Sequence, residues 1–106
     1  MERICSFTIN GNLYTIYNVD KICCKVTYVG KTQYDVGKVY IEKGTKEDML
    51  LTLKHELMHI WLYEHGHINQ DAKRKFSYED LCEYVAYSND FINEIVNKYL
   101  NAERYR

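Results

Sequence analysis

Five consecutive residues, His55-Glu56-Leu57-Met58-His59, have the types and the spacing that chemistry needs. On an α-helix, two histidines four apart stand one above the other, because 3.6 residues per turn nearly closes over that interval. Their imidazoles then reach two neighbouring corners of a tetrahedral zinc site. Glu56 projects to one side of the pair. A carboxylate there reaches a water on the same metal without being a ligand itself, which is where a general base stands. The pattern H-E-x-x-H is that of a zinc-protease helix. The same residues would also suit a plain helix carrying two solvated or hydrogen-bonded histidines.

The elements around this stretch must place it. A helix is expected from about Thr45 to His65, with Thr45 and Asp48 in the form of a capping box and Gly66 at its end. On its wheel Asp48, Thr52, His55, Glu56 and His59 share one narrow stripe. Met49, Leu50, Leu53, Leu57, Ile60 and Trp61 form one apolar face, and Leu51, Met58 and Leu62 a second. A helix apolar almost all round is expected to be central and buried. Its polar stripe would then need partners, and a metal would supply them.

Before it, Arg3–Asn10 and Leu13–Val19 read as strands across an Asn-Gly turn, the pattern of a hairpin. Cys24–Val29, closed by Gly30, reads as a third strand and Val36–Glu42 as a fourth, with a polar link from Lys31 to Asp35 between them. Gly37 marks a bulge or a close backbone approach. After the metal helix, 67–76 reads as a polar, basic loop containing Lys73-Arg74-Lys75. A second helix opens at Ser77 with Asp80 three residues on, and runs to about Asn101. Leu81, Val85, Ser88, Ile92, Ile95 or Val96, and Tyr99 are its expected core stripe, with Glu79, Glu83, Ala86 and Asp90 on another face. The whole is an α+β domain spanning residues 1–106: a small, mostly antiparallel sheet (about 3–42) on two long helices (about 45–65 and 77–101).

Catalytic zinc takes three protein ligands and leaves a fourth position for water. Glu83, beginning Glu83-Tyr84-Val85-Ala86, is the best candidate for the third, because the small Ala86 lets its helix come close. Glu79 lies one turn earlier. His65 has the offset used in H-E-x-x-H-x-x-G-x-x-H sites, but Leu62 stands where those sites break the helix with glycine. On an unbroken helix His65 is more than two turns from His55.

H-E-x-x-H followed by E-x-x-A on a second helix resembles the gluzincin clan of zinc metallopeptidases. In size and order the chain is similar to its minimal members, the minigluzincins and the peptidase core of ImmA/IrrE-type proteins. The resemblance covers about Val36 to Asp90 and implies a zincin-like fold, with Zn2+ held by His55, His59 and Glu83 and with Glu56 as general base and proton shuttle. It also implies that a peptide substrate adds to a sheet-edge strand before the metal helix, here Val36–Glu42. Tyr87 stands where many gluzincins have an acid that orients the first histidine, so that role passes to Asp90, Asp48 or a backbone carbonyl. Tyr84, Tyr87, Tyr63, His65 and His67 are candidate donors to an oxyanion.

Composition narrows the classes. A chain of 106 residues with formal net charge -1 has no electrostatic footprint for nucleic acid. No run is long enough to span a membrane and no signal peptide is recognisable, so a cytoplasmic setting is expected. The four cysteines show no C-x-x-C and read as buried thiols. The expected function is zinc-dependent peptide hydrolysis; the alternative is a non-catalytic or latent metal-stabilised binding module.

Overall fold

The computed structural model describes residues 1–22, 29–66 and 77–104. Strands β1 (Glu2–Ile9) and β2 (Asn12–Val19) form the expected hairpin. Asn10 and Gly11 turn it with φ of 50° and 81°, the double positive φ that suits the right-handed twist of the flanking strands. Strands β3 (Gly30–Gln33) and β4 (Lys38–Glu42) complete a sheet in the order β1-β2-β4-β3. The β1–β2 and β3–β4 pairings are antiparallel and β2–β4 is parallel. Gly37, just before β4, has φ 63°, and a Cβ there would lie 2.1 Å from the Leu13 carbonyl oxygen. The close approach expected at this glycine is what the fold uses.

Helices α1 (Lys46–Glu64) and α2 (Tyr78–Arg104) lie close to their expected limits. The Thr45 hydroxyl accepts from the Asp48 amide at 3.2 Å and caps α1. At α2 the capping box is reciprocal: Ser77 Oγ accepts from the Asp80 amide, and Asp80 Oδ2 from the Ser77 amide, each at 3.0 Å. One core joins the layers. Ile4, Phe7, Ile9, Tyr14, Ile16, Val39 and Ile41 from the sheet meet Leu53, Leu57, Ile60 and Trp61 of α1 and Tyr84, Ile95, Val96 and Tyr99 of α2. The molecule is thus α+β. No helix among the described residues is long and apolar enough to cross a membrane.

Four expectations need correction. First, the stretch from Gly30 to Gln33 is a strand, not a link. It escaped notice because Lys31 and Gln33 turn away from the core while Thr32 meets a carboxylate, so no apolar alternation marks it. Of the third strand expected at Cys24–Val29, only Val29 is described, and its carbonyl accepts from the Glu42 amide at 2.9 Å; the rest lies outside the described residues. Second, β4 lies between β2 and β3 and is not an edge. Both its backbone edges are used, so Val36–Glu42 has no ladder to offer a peptide; β3 is the edge on that side.

Third, α1 is not buried all round: Leu51 is 65 % exposed and Asp48, His55 and His59 face solvent. Sheet and α2 cover only part of its circumference. Fourth, the first turns of α2 are rotated relative to the expected stripe. Val85 is 62 % exposed and Leu81 47 %, whereas Tyr84 is buried against Trp61, their ring centroids 6.0 Å apart. A large ring with a large partner outweighs two smaller apolar side chains. Ser88, Ile95, Val96 and Tyr99 keep their expected buried places.

Candidate metal centre

His55 and His59 are brought together as their spacing requires. Their Nε2 atoms lie 3.1 Å apart, with ring centroids 4.7 Å apart and planes inclined at 72°. Two nitrogens bound to one tetrahedral zinc would be separated by about 3.3 Å, from the usual Zn–N length. The pair therefore fits two corners of such a site. The same separation also suits a hydrogen bond from one neutral imidazole to the other. Both rings are exposed to solvent, so their burial does not demand a metal. Convergence of the two nitrogens is what remains.

Glu56 turns the other way, towards the sheet, and is only 8 % exposed. Its Oε1 accepts from the Thr32 hydroxyl at 2.7 Å, so the edge strand β3 holds the carboxylate. Gly30 makes this approach feasible: a Cβ there would stand 2.5 Å from Thr52 Cγ2 and 3.1 Å from Glu56 Cγ. Farther along, Tyr34 stacks on Tyr63 of α1 with centroids 4.3 Å apart. Burial raises the Tyr34 phenol pKa first, and the charges of Glu56 and Tyr63 add to it. Tyr34 and Thr32 both escaped sequence reasoning. The signal for Thr32 is its alternation with Gly30 on one face of β3, and Tyr34 follows in the turn after that strand, so neither is visible until β3 is known to be one.

The far end of α1 is fastened to the β-hairpin. Asn12 Nδ2 and the Tyr14 hydroxyl donate to the two Glu64 carboxylate oxygens at 2.7 and 2.5 Å, and Asn10 Nδ2 donates to the Glu64 carbonyl at 2.8 Å. Burial and the neighbouring Glu64 raise the Tyr14 phenol far above the ordinary range. The last turn of the histidine helix is thereby fixed against the sheet.

The candidate third ligands are elsewhere. Glu83 and Glu79 are both exposed on α2, because Tyr84 is the residue turned to α1 and successive residues project about 100° apart. His65 stacks on Trp61 at 4.3 Å, and its Nδ1 lies 2.7 Å from the Trp61 carbonyl, tied to the end of its own helix. Among the described residues no three His, Cys, Asp or Glu side chains are grouped closely enough to hold a metal. Asp48 and Asp90, considered for orienting an imidazole, are also exposed. Of the oxyanion candidates, Tyr84 is buried in the core, Tyr87 is exposed, Tyr63 carries Tyr34, and His67 lies outside the described residues. No protein-family model matches the chain, and no curated protein or solved structure matches it either.

Proposed function

We propose that this protein is a zinc-dependent peptidase of the gluzincin type. The single observation that carries the reading is the pairing of two convergent histidine nitrogens with a buried carboxylate on the same two turns of α1. His55 and His59 would hold the ion, and Glu83, by its place in the E-x-x-A pattern, would be the third ligand. Glu83 is exposed in this conformation, so its ligation requires the first turns of α2 to shift. Bound zinc would polarise the scissile carbonyl and lower the pKa of a water to about 7.

Glu56 accepts the proton of the attacking water and delivers it to the leaving amine. Its buried carboxylate is held at one oxygen by Thr32 on the sheet side of α1 while the imidazoles face solvent, so the water they share would have to lie at the boundary between the two sides. An extended peptide would add to β3, the outermost strand on that side among the described residues, which lies over Glu56, with backbone hydrogen bonds supplying sequence-tolerant affinity. Cys82, expected to be buried, is exposed on α2; a reducing cytoplasm, where such a thiol persists, is the setting proposed for the protein.

A second reading is favoured by the exposure of Glu79 and Glu83: a latent or purely structural metal site in a binding module. Zinc titration with a peptide-cleavage assay separates the two. One zinc per chain with cleavage supports the enzyme; one zinc without cleavage supports the module. No zinc uptake by freshly purified, unchelated protein removes both.

A further inference from the structure

Strand β3 is polar, short and outermost among the described strands, yet its inner face packs directly on α1. The register places Gly30 opposite Ile41 and Thr32 opposite Val39, and Ile41 and Val39 are both fully buried, so Gly30 and Thr32 face the core side. Lys31 and Gln33 fall on the other face, where Gln33 Oε1 accepts from the Tyr40 hydroxyl at 2.9 Å. Along α1, Gly30 lies over Thr52 and Glu56, Thr32 bonds Glu56, and Tyr34 stacks on Tyr63. Gly30 and Thr32, two apart on the inner face of β3, thus both meet Glu56, and Tyr34 in the turn beyond the strand meets α1 nearer its end.

We propose that Thr32 is a positioning residue for the Glu56 carboxylate, and that Gly30 sets the strand-to-helix distance at which its hydroxyl can act. The inference rests on Glu56 being the general base proposed above. A carboxylate on a flexible three-bond side chain samples several rotamers. One hydrogen bond to Oε1 from a β-branched residue, itself stiff at χ1, selects among them, and Oε2 stands beside Gly30, 3.2 Å from where a Cβ would lie. The strand that would align the peptide then also aligns the base, so substrate and proton acceptor share one reference frame. Gly30 belongs to the same device. A Cβ there would lie 2.5 Å from Thr52 Cγ2 and 3.1 Å from Glu56 Cγ, so Thr52, Glu56 or β3 must give way and the Thr32–Glu56 geometry is disturbed.

The test compares the full chain with Thr32→Val, Thr32→Ser and Gly30→Ala. Crystal structures at a resolution that shows rotamers give a readout independent of activity. Glu56 is expected in one rotamer in the parent and in Thr32→Ser, and swung out or split in Thr32→Val and Gly30→Ala. Zinc uptake at His55 and His59 should be unchanged in all four proteins. An unmoved Glu56 in Thr32→Val overturns the proposal. Should Gly30→Ala fail to fold, the Val and Ser variants decide alone. In peptide cleavage, kcat is expected to fall about tenfold in Thr32→Val with KM unchanged, and to recover in Thr32→Ser; a rotated Glu56 with full kcat also overturns it. A parent that binds zinc and cleaves nothing ends the peptidase reading, while the rotamer comparison still decides whether Thr32 positions Glu56.

Discussion

Two histidines and one glutamate divide the chemistry of α1 between its solvent side and its sheet side. The imidazoles face outward with their nitrogens 3.1 Å apart, whereas the carboxylate is buried beneath β3. That division makes distinct predictions for each side chain. If the proposed peptidase reading holds, Glu56→Gln is expected to retain zinc, since the amide leaves both imidazoles untouched, and to lower peptide cleavage by about 10²-fold or more, the usual scale for losing a general base. Metal analysis beside a cleavage assay checks it, and equal cleavage by the variant and the parent would contradict the assignment. His59→Ala removes one of the two convergent nitrogens. Zinc uptake is expected to drop and zinc-dependent thermal stabilisation to vanish; unchanged uptake would mean that any ion is held elsewhere. His55, Glu56 and His59 were legible in the sequence because helix geometry alone brings residues four apart together. Thr32 and Tyr34 were not, since nothing local says which helix a polar edge strand will cover.

At the scale of elements, α1 is held at both ends by side-chain chemistry. Thr45 caps its start, and Asn10, Asn12 and Tyr14 of the hairpin grip Glu64 at its finish. Glu64→Ala leaves the partly buried Tyr14 hydroxyl and the Asn12 amide without their acceptor. It is expected to destabilise the fold by about 1–3 kcal/mol, the range for orphaning a buried donor. Chemical denaturation measures this, and a change within about 0.5 kcal/mol would show that the clasp is solvated. The limits of both helices and the hairpin turn were legible because capping residues and Asn-Gly act over three or four positions. The facing of α2 was not. Its apolar residues are spread widely enough that either Leu81 with Val85 or Tyr84 could turn inward, and the choice rests on Trp61, a residue of another helix.

For the whole molecule, three half-buried or buried phenols make stability sensitive to alkali. Tyr14, Tyr34 and Tyr99 all have raised pKa values, each chiefly through burial, with Glu64, Glu56 and Glu103 as their respective negative neighbours. A raised phenol pKa means that the folded state holds its proton longer than the unfolded state does. The associated stability is complete below the ordinary value near 10 and is lost as pH rises from there towards the folded value. The phenols' contribution to the denaturation midpoint is therefore expected to be constant up to about pH 9 and to fall above pH 10. Tyr14→Phe should remove up to about 1.4 kcal/mol per pH unit of that slope. A slope identical to the parent's would show that Tyr14 ionises freely in the fold.

An α+β domain with a histidine helix, a capped second helix and an Asn-Gly hairpin is written in short-range signals, and residue spacing suffices to read it. The parallel junction of β2 with β4, the edge position of β3 and the exposure of Glu83 depend on contacts between residues far apart in the chain. Periodicity says that a strand or helix has an inner face. Only the packed neighbours say what that face meets, and here they put a threonine, not a metal ligand from α2, against the carboxylate of Glu56.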